Sequence, residues 1–386
     1  MSRRQTCHTI SVAGANPLGC WFYLTLSPCM NLIKQELHLL IAAVMAVIAL
    51  PMEHSVLAAG QLVSLIVAMV LIGAIMLAAL RVAHHAEMLA DRVGEPYGTM
   101  ILTLAAVTVE VVILGIMMSH TASATLVRDT IYSAVMLDVN GILGLAALLG
   151  GLRYGEQKYN VDSGNTYNVM IMTALGVSMV VPAFVPQAQS SVYSVFTIVI
   201  MAVLYALFLR LQTTRHSYFF SYSYGESGQH ERIHAGSARS SVILLVVGVL
   251  VIGLLSEVMA RTLDAGLAGT GVPPIVASLL VAGISASPEI VTAMRAAMAN
   301  RMQPVVNIAL GASLSTVILT IPVILGLALM SGKAINMALS PVQTAMCVLT
   351  LFAASINLND GETNAIEGMT HFVLFLTFLM LSAMGL

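Results

Sequence analysis

The chain has 386 residues, 58% of them hydrophobic and only 9% charged. That balance excludes a soluble globular domain and predicts an all-α polytopic membrane protein embedded in membrane lipid. A formal net charge of −2 gives no nucleic-acid partner, and Cys7, Cys20, Cys29 and Cys347 show neither zinc spacing nor a disulfide framework.

Residues 1–31 form an N-terminal extension. Arg3 and Arg4 precede a mildly polar stretch with Trp21, Phe22 and Tyr23, too short and interrupted for a signal peptide. Met30 then opens a segment that resembles an ordinary start before a membrane helix. The extension is therefore expected to be disordered or to stem from an upstream start. Apolar runs of about 20 residues place spans near 34–51, 57–80, 97–118, 130–150, 167–186, 192–212, 240–260, 273–297, 303–329, 337–357 and 368–386. This gives about 11 transmembrane helices: a leading helix within 32–56, a first group of five at 57–212, and a second at 240–386.

The polar connection 213–239 separates the two groups. With the N-terminus on one side, that side collects 13 of the 16 Lys and Arg residues and the other side 3. Cytoplasmic loops carry the positive excess, so the N-terminus and the 213–239 linker are expected inside and the C-terminus outside. An odd number of spans per group forces the groups into opposite orientations, the inverted-repeat signature of secondary transporters.

Two acids lie inside these spans. Glu110 sits in VTVEVVILG and Glu289 in GISASPEIVTAM, each in the second span of its group. An ionisable residue at mid-membrane is expensive and marks a functional site by default. Pro288 removes a backbone donor beside Glu289, so a helix break with free carbonyls is expected there. Each acid span is followed by one with polar residues: Asp138 and Asn140 in the first group, Asn307, Ser313 and Ser315 in the second. Two carboxylates from inverted halves suit a divalent cation; calcium takes about six to eight oxygens. Without the metal, two buried like charges repel and are poorly solvated, so the empty site takes up protons. Cation and proton then compete for the same oxygens.

These residues carry a resemblance. GISASPEIVTAM followed by NIALGASLSTVILTIPVILG resembles the second alpha repeat of the calcium/cation exchanger superfamily, in its proton-coupled branch. AEMLADRVGEPYGTMILTLAAVTVEVVILG is similar to the entry of the first repeat in bacterial calcium/proton antiporters of the ChaA type, and LGLAALLGGLRYGEQKYN and GETNAIEGMTHFVLF fall in family order after it. The resemblance implies a leading helix plus two inverted five-helix repeats, with Glu110 and Glu289 as the cation and proton carriers. The chain departs from the Gly-Asn-Ala often found before each acid, with Ala106-Val107-Thr108 and Ser285-Ala286-Ser287 in those places.

The function expected is an antiporter of the bacterial inner membrane that exports Ca2+, with Na+ or K+ as further cargo, against protons by alternating access. The alternative is a monovalent-selective Na+(K+)/H+ antiporter with little Ca2+ transport. No enzyme is expected, since no nucleophile motif accompanies the membrane histidines, and the only ligands are the transported ions. Thr108, Asp138, Asn140, Ser285, Ser287, Asn307, Ser313 and Ser315 are candidate supporting ligands. The competing reading gives Asp138 and Asn140 a helix–helix hydrogen bond and the hydroxyls a bond to their own backbone. His371 reads as a packing histidine, Glu367 and Asn364 as a vestibule wall or a helix cap, and His216, His230 and His234 as parts of a solvated linker.

Overall fold

The computed structural model describes residues 36–94, 97–121, 123–213, 217–220 and 237–386. The expected extension 1–31 and the loop histidines 216, 230 and 234 lie outside them.

The described chain is helical throughout its apolar runs. The leading helix is α1 (Leu37–Ala58). The first group comprises α2 (Gln61–Val93), α3 (Tyr97–His120), α4 (Leu126–Met136) joined through a widened π-turn (Leu137–Ile142) to α5 (Leu143–Tyr154), α6 (Val161–Leu175) and α7 (Ser190–Thr213). The second comprises α8 (Ala238–Leu267), α9 (Pro274–Ser285), α10 (Ser287–Met298), α11 (Met302–Ser315) joined through a π-turn (Thr316–Thr320) to α12 (Ile321–Ser331), α13 (Pro341–Asn357) and α14 (Ala365–Ala383). Among the described residues, nine helical units are long and apolar enough to cross a membrane, and α9 with α10 makes a tenth span bent by 58°. α13 has only 17 residues.

Local chemistry sets several of these boundaries. α2 runs well past its apolar run because nothing breaks it before Gly94, whose φ of 75° is unfavourable for a residue with a side chain. α13 starts at Pro341 rather than at the expected 337, because Ser340 and Gln343 form a reciprocal capping box. The extended stretch before it is satisfied from inside the protein: Asn336 N–H donates to Ala124 O at 2.8 Å and Leu339 N–H to Met179 O at 3.0 Å. Non-helical backbone at membrane depth requires such partners. Pro322, at the start of α12, cannot donate to the carbonyl four residues back, and the turn before it widens.

The packing is exchanged between the halves. α2 lies along α8, and α3 packs on the π-turn 316–320 while α10 packs on the π-turn 137–142. α7 lies on α12, and α14 lies on α5. In each pair an element of one group packs on an element of the other. α5 and α14 touch backbone to backbone: a Cβ on Gly151 would run into Ala365, and one on Gly368 into Leu148. Small residues at such a crossing let membrane helices approach closely. At the far end of the bundle Arg261 joins Glu53 of α1 and Glu257 of α8, each at 2.5 Å, and Glu257 also receives His120 of α3 at 2.9 Å.

Candidate cation site

The break expected at Pro288 is present. α9 ends at Ser285, and α10 restarts at Ser287 with the proline in its first turn, where the missing N–H has no partner to lose. The freed carbonyls do not stay free. Ser285 Oγ donates to Ala282 O at 3.0 Å and Ser287 Oγ to Ile284 O at 2.8 Å. Both hydroxyls are spent on their own backbone. Glu289 lies in the first turn of α10, where the positive end of the helix dipole favours an anion. Its Oε2 is buried and makes no hydrogen bond.

Glu110 sits on α3, which is unbroken, so the two acid helices are not equivalent. Its side chain is 4% exposed. Oε2 accepts from Thr316 Oγ1 at 3.0 Å and from Thr320 Oγ1 at 2.8 Å, two hydroxyls one turn apart on the π-turn of the opposite half. Oε1 is buried without a partner. Asp138, on the other π-turn, is 2% exposed and accepts from Ser313 Oγ at 3.1 Å. Its carboxyl feels the charge of Glu289 and, less, that of Glu110; Glu289 in turn feels Glu110.

The structure therefore draws together Glu110, Glu289, Asp138 and Ser313. It does not bring in the remaining candidates. Thr108 is exposed and donates to Leu104 O at 2.6 Å. Ser315 donates to Gly311 O at 2.6 Å. Asn307 accepts from Gln303 Nε2 at 2.8 Å, a bond within α11. Asn140 ties helices instead: Nδ2 donates to Thr350 of α13 at 2.7 Å, and Oδ1 meets His371 of α14 at 2.9 Å. Hydroxyls in apolar helices prefer a carbonyl of the preceding turn, which is local and always within reach. Thr316 and Thr320 escape that rule, and sequence reasoning missed them. The available signal was two hydroxyls four residues apart just before Pro322.

Chemically, these are three buried carboxyls near enough to feel one another, with an unpartnered oxygen on Glu110 and on Glu289, one from each half. Buried charge of one sign must be balanced by a cation or by protons. Among the described residues no three His, Cys, Asp or Glu side chains converge as a metal cage. A bound cation would draw on the carboxylate oxygens of both halves and on neutral oxygens nearby.

The family profile described as "Sodium/calcium exchanger protein" matches residues 62–214 and 240–384. A curated relative from Sinorhizobium fredii, "Putative ionic transporter y4hA", is 34% identical over 307 residues, covering 78% of this chain and 84% of the relative. "Sodium-potassium/proton antiporter ChaA" of Escherichia coli is 32% identical over 313 residues, covering 79% and 86%. The solved structure of native YfkE superposes with a TM-score of 0.71 at 18% identity, over 88% of this chain and 99% of that one, a likeness of fold. The profile takes in both helical groups, with the site carboxyls inside its two matched segments, and the chain belongs to the sodium/calcium exchanger protein family.

Proposed function

We propose that the chain is a secondary active antiporter that exports Ca2+, with Na+ or K+ as further cargo, in exchange for protons by alternating access. The observation that carries this reading is the buried carboxyl cluster, built from both halves and left with a bare oxygen on Glu110 and on Glu289. Such a cluster crosses the membrane neutralised by a cation or by protons, and unfavourably when empty and charged. Exchange follows from that exclusion. Of the two curated relatives described above, one is named an ionic transporter and the other an antiporter, which supports transport over catalysis.

The proposed division of labour gives Glu110 and Glu289 the cation and the protons, with Asp138 as a third charge held by Ser313. The proposed orientation puts the N-terminal side and the 213–239 linker in the cytoplasm of a bacterial inner membrane, on the strength of the 13 to 3 bias of Lys and Arg. Residues 57–212 and 240–386 are taken as the two inverted repeats.

One observation favours the monovalent alternative. Glu110 has one oxygen committed to two hydroxyls, so it offers a cation a single oxygen where calcium often takes both. Everted vesicles supplied with Ca2+, Na+ or K+ in turn, with lumenal pH recorded, test the reading. Lumenal alkalinisation on cation addition is expected, and its order among the cations separates the two readings. Cation uptake with no proton movement refutes antiport.

A further inference from the structure

A second polar cluster lies outside the carboxyl site, where α14 begins. Asn364 caps the helix and donates through Nδ2 to Glu367 Oε1 at 2.9 Å. The other carboxyl oxygen, Oε2, is buried and without a hydrogen bond, although the Thr363 hydroxyl lies beside the same carboxyl and lines the same cavity. One turn further on, His371 is 3% exposed. The bond it makes to Asn140 fixes its tautomer. Asn140 uses Nδ2 to donate to Thr350, so its Oδ1 must accept, and the ring proton of His371 sits on Nδ1. Nε2 is then a bare lone pair, and it too is buried without a partner. Asn357 Nδ2, at the end of α13, is a third such atom.

Glu367, His371 and Asn357 all line one cavity of about 10 Å3, and α5 and α11 close it with the apolar side chains of Leu143, Ala147, Met302 and Val306. That is room for a single water. The demands also match. Glu367 Oε2 and His371 Nε2 each need a donor and Asn357 Nδ2 needs an acceptor, while a water has two protons to give and lone pairs to receive. The donor and acceptor count of one water thus matches the three groups that line the cavity.

We propose that this cavity holds one water that links Glu367 to His371, and that the linked pair is a protonation site separate from the carboxylates of the cation site. A proton arriving on Glu367 passes to the water, and the water gives one of its own to His371 Nε2. Glu367 is left as carboxylate, His371 as imidazolium, and the water is restored between them. The other titratable groups facing the pair are Asp360 and Tyr159 from the two connections beside it. Beyond Asn140, Asp138 lies on the same π-turn. The site thus connects the membrane face at 357–365 with the turn that carries a carboxyl of the cation site. This role rests on the chain being proton-coupled.

The test compares Glu367→Gln, His371→Asn and the double variant. Asparagine keeps a nitrogen where Nδ1 was, and so keeps the tie to Asn140, but has nothing at Nε2. Exchange rate is recorded against the pH of each face, in everted and right-side-out vesicles, with thermal unfolding in detergent as the check on folding. Each single variant should move the pH of half-maximal rate by roughly half a unit or more, for one face only, and the double variant no further than the larger single one. Unmoved midpoints in folded variants overturn the site. So does a shift in Glu367→Gln alone, or shifts that add in the double variant, since either means the two residues act separately. Glu367 is only half-buried and its amide keeps the Asn364 bond, so should His371→Asn fold poorly, Glu367→Gln carries the test: a midpoint moved for one face supports the site and an unmoved one overturns it. Normal cation–proton exchange with unmoved midpoints refutes this site only; cation movement without protons in the unaltered protein refutes antiport itself.

Discussion

Replacing Thr316 and Thr320 by valine changes the shape of the site little and removes both donors from Glu110 Oε2. In the native protein a cation that wants both oxygens of Glu110 must first displace hydrogen bonds of 3.0 and 2.8 Å. A hydrogen bond to a charged group contributes roughly 1.5–3 kcal/mol, so freeing Oε2 costs at least about 3 kcal/mol. The Coulomb gain from the extra oxygen is twice as large for a divalent ion as for a monovalent one. A monovalent ion, gaining half as much, leaves Oε2 with its hydroxyls, so the cost falls on Ca2+ alone; recovering even one hydrogen bond's worth, about 1.5 kcal/mol, is roughly a tenfold factor. The double variant should therefore raise the ratio of Ca2+ to Na+ affinity about tenfold, and each single variant about threefold. The assay is half-saturating concentration of each cation in everted vesicles at one pH, after size-exclusion chromatography shows the variant folded. A ratio within about twofold of the native one in the double variant would refute the idea that the hydroxyl pair restricts Glu110.

Glu110→Gln and Glu289→Gln should each abolish exchange while the protein still inserts, because an amide keeps the volume but cannot carry a proton; near-native exchange in either vesicle assay removes that residue from the carriers. Asp138→Asn should weaken Ca2+ far more than Na+, with Ser313→Ala giving a smaller change in the same direction, both read as half-saturating concentrations. A reporter fused after Leu386 should be active only outside the cytoplasm, and cytoplasmic activity would reverse the orientation. Burial pushes the Glu36 carboxyl up, but the hydrogen bonds and charges of Arg81 and His85 outweigh it and hold the group below its ordinary value. Its contribution to tying α1 onto α2 is thus present above the ordinary carboxylate range and lost as pH falls through the lowered value. Thermal unfolding in detergent should show that loss on acidification, and Arg81→Gln should both lower Tm and flatten its dependence on acid pH.

The spans were legible because about 20 apolar residues have one use in a bilayer, and Glu110, Glu289 and Asp138 because buried acids are costly enough to stand out. The break at Pro288 was legible from the missing backbone donor. What the break does stood open between ligand hydroxyls and hydroxyls bonded to their own backbone: Ser285 and Ser287 lie beside an acid in sequence, yet the carbonyls they satisfy are nearer in space. The partners of Glu110 lie 206 and 210 residues away on a π-turn, and no local periodicity reports a widened turn. Asn140 illustrates the same limit. Its neighbour Asp138 faces the acids, while two positions on, the side chain points to α13 and α14. His371 does pack against Asn140 as a buried histidine should, but only the structure shows that its second nitrogen faces a cavity.

If cation and protons share the same carboxylate oxygens, cation affinity in everted vesicles must depend on pH. Each proton that must leave before the cation binds makes apparent affinity fall about tenfold per pH unit on the acid side. A Ca2+ site that loses two protons should therefore gain up to about a hundredfold per unit as pH rises, flattening once the acids are ionised, with Na+ at roughly half that logarithmic slope. A Ca2+ affinity independent of pH across the acid range would contradict shared oxygens as the basis of exchange.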